Sequence, residues 1–116
     1  MVSREGDKQV LAAMESHGAD LTKSAHTIHY LYFKSPEQAE SAAQELRENG
    51  YQNLRVHRAP AASLLKRLFG PKEFSCIAET NAVPSEANVF KTTDSMNELA
   101  AKYEGNYDGW EASIER

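Results

Sequence analysis

Three histidines, His26, His29 and His57, and the single cysteine, Cys76, are the residues whose types could hold a metal ion or carry a nucleophile. Their spacing argues against both. Side chains alternate along a strand, so His26 and His29 face opposite sides of one and cannot share an ion through it. The 116 residues contain no Cys-His spacing of the zinc-binding kind and no His-Glu-x-x-His run. Cys76 lies in a strand-like stretch, where a lone cysteine behaves as a small buried hydrophobe. Glu37 and Glu40 are paired carboxylates, but they fall in the first turn of a capped helix, where the helix dipole favours negative charge. There is no glycine-rich phosphate loop. The expectation is a chain that is not an enzyme and holds neither metal nor cofactor.

Binding chemistry is better represented. Tyr30 and Tyr32 alternate with Leu31 and Phe33, so one pair faces a core and the tyrosines face outward. Between Gly50 and Lys72 lie five bases, Arg55, Arg58, Lys66, Arg67 and Lys72, and no acid. The net charge of −4 therefore hides a basic middle within an acidic remainder. Tyr30, Tyr32, Arg55, Arg58, Lys66 and Arg67 are the candidate partner-binding residues. A solvated loop, a docking surface for an acidic partner and phosphate contact are the three readings of the basic stretch, and steep salt dependence marks the last.

The elements that must position these residues follow from periodicity and punctuation. Asp7 caps a first helix to about His17, with Val10, Leu11 and Met14 as its apolar stripe and Gly18 as its stop. His26 to Phe33 is apolar or aromatic on both faces, as a central strand requires. Ser35, Pro36 and Gln38 spell N-cap, N1 and capping box for a helix with Ala39, Ala42, Ala43 and Leu46 on one side, ended by Gly50. Tyr51 to His57 alternates, with Leu54 and Val56 inward. Pro60 and Pro71 bracket a short helix over 61–69. Phe74 to Val83 is a third strand, Glu86 to Tyr103 a long helix, and Tyr107 to Ile114 a closing strand.

Apart from the first helix, this order is β-α-β-β-α-β. It predicts an α+β fold of the ferredoxin-like type: one antiparallel sheet, helices on one face, an extra N-terminal helix, and a single domain over 1–116. RNA-recognition modules share this order and stack bases on aromatics of the open face. Their third-strand run is not matched by Lys72-Glu73-Phe74-Ser75-Cys76-Ile77. That mismatch favours a structural role for the two tyrosines, packed under the Pro60–Pro71 segment or against a second copy in a homodimer.

Three segments carry a family resemblance: Val10-Leu11-Ala12-Ala13-Met14 followed by Gly18-Ala19-Asp20-Leu21; His29-Tyr30-Leu31-Tyr32-Phe33 before an alanine-rich capped helix; and the ending Tyr107-Asp108-Gly109-Trp110-Glu111. The chain resembles the ribonuclease E inhibitor family, also called regulator of ribonuclease E activity B. The resemblance implies a ferredoxin-like fold and a small cytoplasmic protein without catalysis that binds ribonuclease E and damps RNA decay. A lone cysteine, and a first stretch unlike a secretory leader, also point to the cytoplasm. Termini fray unless tied down, so Tyr107, Asp108, Gly109 and Trp110 are expected to be structural, with Trp110→Ala costing about 3–5 kcal/mol.

Overall fold

The computed structural model describes residues 3–58 and 73–113. Its elements are α1 (Arg4–Ser16), β1 (Ala25–Phe33), α2 (Pro36–Glu48), β2 (Gln52–Arg58), β3 (Phe74–Ala82), α3 (Glu86–Lys102) and β4 (Asn106–Ala112). The four strands form one sheet in the order β2-β3-β1-β4, with every neighbouring pair antiparallel. The α+β architecture and the β-α-β-β-α-β order expected from the sequence are both present. The helix expected over 61–69 falls outside the described residues, as does the end of the last strand at Ile114.

β1 is central because both its faces can be covered or shared. Its residues alternate without exception between buried and half-buried. The odd-numbered side face carries Leu31 and Phe33 into a core with Ala39, Ala42, Ala43 and Leu46 of α2, Cys76 and Ala78 of β3, Met96, Leu99 and Ala100 of α3, and Tyr107 of β4. The alanine stripe lets α2 lie close to the sheet, and each larger apolar side chain contributes about 1.5–3 kcal/mol by burial. Leu54 and Val56 of β2 pack on the same core, as their alternation predicts. A second cluster, Leu11 and Met14 of α1 with Val89 of α3, also touches Trp110, so the extra helix is laid against α3 and the last strand.

Two helix starts differ from expectation. Ser3, not Asp7, caps α1, its Oγ accepting from Gly6 N at 3.2 Å. Asp7 instead lies within the helix and is fully buried. At α2 the Ser35 Oγ accepts from Gln38 N at 3.2 Å as expected, but the Gln38 side chain does not reach back. Its Nε2 donates to Glu104 at 2.8 Å, joining α2 to the turn before β4. That turn has no spare room. A Cβ at Gly105 would lie 2.3 Å from Phe33 Cδ1 and 2.5 Å from the Tyr32 carbonyl oxygen.

Gly105→Ala is therefore expected to cost about 3 kcal/mol or to prevent folding, since neither the backbone nor a core phenylalanine can give way cheaply. Gly6→Ala, whose added carbon meets only Ser3 Oγ at 3.6 Å, should be neutral or slightly stabilising. Urea unfolding of the two variants beside the parent chain checks both.

Candidate functional site

The even-numbered residues of β1 build the face opposite the one that carries Leu31 and Phe33, and among the described residues no helix packs on it. Ile28, Tyr30 and Tyr32 are half-buried there. The ladder sets Glu79, Ile77 and Ser75 of β3 beside them in turn. Arg55 and His57 of β2 follow beside Ile77 and Ser75. On the other side Glu111 flanks Ile28 and Gly109 flanks Tyr30. The result is an aliphatic and aromatic strip, Ile28, Tyr30, Ile77 and Tyr32, edged by charge.

Those charges are organised across strands. Glu79, whose side chain is only 12% exposed, lies 2.6 Å from His26 Nε2 and 2.9 Å from an Arg55 guanidinium nitrogen. One carboxylate thus links β1, β3 and β2. The Tyr30 hydroxyl donates to Glu111, which raises the tyrosine above its ordinary pKa. Of the six residues singled out for partner binding, Tyr30, Tyr32 and Arg55 share this face. Arg58 pairs with Phe74, which itself pairs with Phe33, so its register belongs to the opposite, helix-bearing side. Lys66 and Arg67 lie outside the described residues.

The segment Tyr107 to Trp110 does its work on the covered side. Between Tyr30 and Leu31 the β1–β4 register shifts, so that Tyr30 pairs with Gly109 and Leu31 with Tyr107. Asp108 is the extra residue of this bulge, and Gly109 takes a φ of 140° that side chains rarely adopt. The bulge lets Tyr107 and Trp110 both point to the helix side. Tyr107 Oη lies 2.9 Å from His29 Nδ1, and Trp110 Nε1 donates to Asp7 Oδ1 at 2.9 Å. Tyr51 completes the group, its ring edge-on to His29 with centroids 5.6 Å apart.

This seam joins the first helix, the central strand and the last strand inside the core. Burial alone pushes His29 down to about 4, leaving it neutral at physiological pH. Burial, then the nearby Asp7 charge and Tyr51, drive the Tyr107 hydroxyl well above the ordinary tyrosine range. Cys76 is fully buried and its thiol is pushed up to about 11, chiefly by burial. Sequence reasoning missed Asp7 and His29 as partners of the terminal aromatics. One signal was available: Asp7, Leu11 and Met14 recur at i, i+4, i+7, the spacing of a buried helix face.

Among the described residues no group of three or more potential ligands could hold a metal ion. No helix there is long and apolar enough to cross a membrane. Three helices and one four-stranded antiparallel sheet among the described residues define the class as a small α+β protein. The family model "Regulator of ribonuclease activity B" matches residues 4–112, and the chain belongs to that family. A comparison with curated proteins gave no match. The family's description is regulatory, which gives the chain a regulatory role.

Two outcomes test the seam. Trp110→Phe keeps most of the ring but leaves the buried Asp7 carboxylate without its donor, and should cost about 2 kcal/mol in urea unfolding. For His29, the unfolded imidazole takes up a proton near its ordinary 6.5 and the folded one only near 4. Between these values the unfolded chain holds more protons, so the contribution is complete above pH 6.5 and is lost as pH falls toward 4. The loss is on the order of 3 kcal/mol. Stability measured against pH should show this component in the parent chain and lack it in His29→Gln.

Proposed function

We propose that this chain is a cytoplasmic, non-catalytic regulator that binds ribonuclease E, or a related RNA-decay assembly, and reduces its activity by occupying a surface of it. Membership of the regulator of ribonuclease activity B family is the observation that carries this reading. The docking surface in this proposal is the open sheet face. Tyr30, Tyr32, Ile28 and Ile77 supply its apolar centre, and Arg55, Glu79 and Glu111 its charged edge. Central aromatics within a polar rim are the usual anatomy of a protein-binding patch.

A single-stranded RNA reading is favoured by one observation: the same two tyrosines stand on the open face of the fold that RNA-recognition modules use. Against it, Glu79 and Glu111 sit among those rings and repel phosphate. A homodimer through this face is a third use, and it requires sedimentation that changes with concentration.

Calorimetric titration against ribonuclease E at two salt concentrations, paired with an RNA-cleavage assay, tests the proposal. Saturable binding that slows cleavage is expected. Replacing Tyr30 and Tyr32 together by Ser should weaken binding by about 2 kcal/mol, roughly thirtyfold in Kd, with the melting midpoint little changed. A flat titration contradicts the partner. Unchanged affinity in the double variant contradicts the surface. Gel shift of single-stranded RNA with steep salt dependence would favour the nucleic-acid reading instead.

A further inference from the structure

Between β1 and α3, at the β3–α3 connection of Val83 and Pro84, lies a pocket of about 40 Å³ that opens outward past Ala82 and Asn88 and reaches inward to His29 and Thr93. Two of its lining residues present buried polar atoms with no protein partner among the described residues: His29 Nε2 and Thr93 Oγ1. Both residues are essentially inaccessible, at 2% and 1% exposure. A buried hydroxyl or imidazole nitrogen left unsatisfied costs about 1–3 kcal/mol, and native structures avoid this by admitting ordered water. A water needs about 10–15 Å³ of such space, whereas an apolar cavity that takes benzene measures about 150 Å³. The volume here therefore suits water. No charged side chain lines the cavity among the described residues, so its occupant is neutral.

The hydrogen-bond inventory fixes what that occupant must do. His29 Nδ1 is taken by the Tyr107 hydroxyl at 2.9 Å. When Tyr107 donates to Nδ1, the neutral imidazole carries its proton on Nε2 and needs an acceptor in the cavity. The Thr93 hydroxyl can both give and accept a hydrogen bond. Thr27, also on the lining, has already donated its hydroxyl proton to the Ala25 carbonyl, yet its oxygen can still accept.

We propose that the buried end of this pocket is a hydration site, in which ordered water accepts from His29 Nε2–H and exchanges a hydrogen bond with Thr93 Oγ1. The water ties α3 to the central strand and extends the chain Tyr107–His29 across the core to the helix. The site is independent of the open face and of its partner.

Solution NMR on the full chain tests it. The expected result is a long-lived water giving cross-relaxation to the His29 ring protons and the Thr93 methyl group, with His29 in the Nε2–H tautomer. Thr93→Val preserves shape and removes the oxygen, so it should abolish the water signal at His29 and lower the melting midpoint. Thr93→Ser should retain the signal. Absence of any water signal at both residues in the parent chain would overturn the proposal. So would a raised midpoint in Thr93→Val, because deleting a hydroxyl that truly has no partner is stabilising.

Discussion

The rest of the molecule hangs on the period of two along β1. A strand bonded on both edges has no freedom to twist a side chain to the other face, and here nine successive residues alternate without a break. Leu31 and Phe33 are thereby committed to the helices, and Ile28, Tyr30 and Tyr32 to the opposite side. A one-residue slip would invert the whole set, so core formation and presentation of the open face are the same event. The surface proposed for recognition is set by the same alternation as the core that backs it.

The second constraint is non-local. α1 and β4 are the first and last described elements, and Trp110 and Asp7, 103 positions apart, meet by a hydrogen bond inside the protein. The bulge at Asp108 makes this possible by turning Tyr107 and Trp110 to the covered side together. Tyr107 then reaches His29 at the centre of the sheet. Trp110 supplies the donor to one oxygen of the buried Asp7 carboxylate, so a docking of α1 that keeps Asp7 buried but loses this bond carries the cost of an unpaired polar group. The wording of the chain's end is explained by this geometry more than by any exposed role.

What could be read in the sequence was local. The alternation of β1, the Ser35-Pro36 start of α2 and the Leu54 and Val56 pair each depend on residues within a few positions, and each is present in the structure. The α+β order followed from them. Asp7 and Gln38 show where local reasoning stops. Both are of a type that caps helices, but their side chains go to Trp110 and Glu104, far away in sequence. Composition groups Arg58 with Arg55, whereas strand register separates them onto two faces. In the sequence His29 offers a metal-ligand type and a place in a family segment, not a partner. Its pairing with Tyr107 depends on a register shift that no spacing rule announces.

Recognition through the open face of a helix-backed sheet is the central claim, and its methyl groups report on it directly. Ile28 and Ile77 carry methyls on that face, while Leu31, Leu46 and Met96 carry theirs in the core beneath the helices. The measurement is a methyl-resolved NMR titration of the labelled chain with ribonuclease E. The account predicts that Ile28 and Ile77 shift or broaden first, with the core methyls little changed. Perturbations confined to the outer surfaces of α1, α2 or α3, with Ile28 and Ile77 unmoved in a saturated complex, would contradict it.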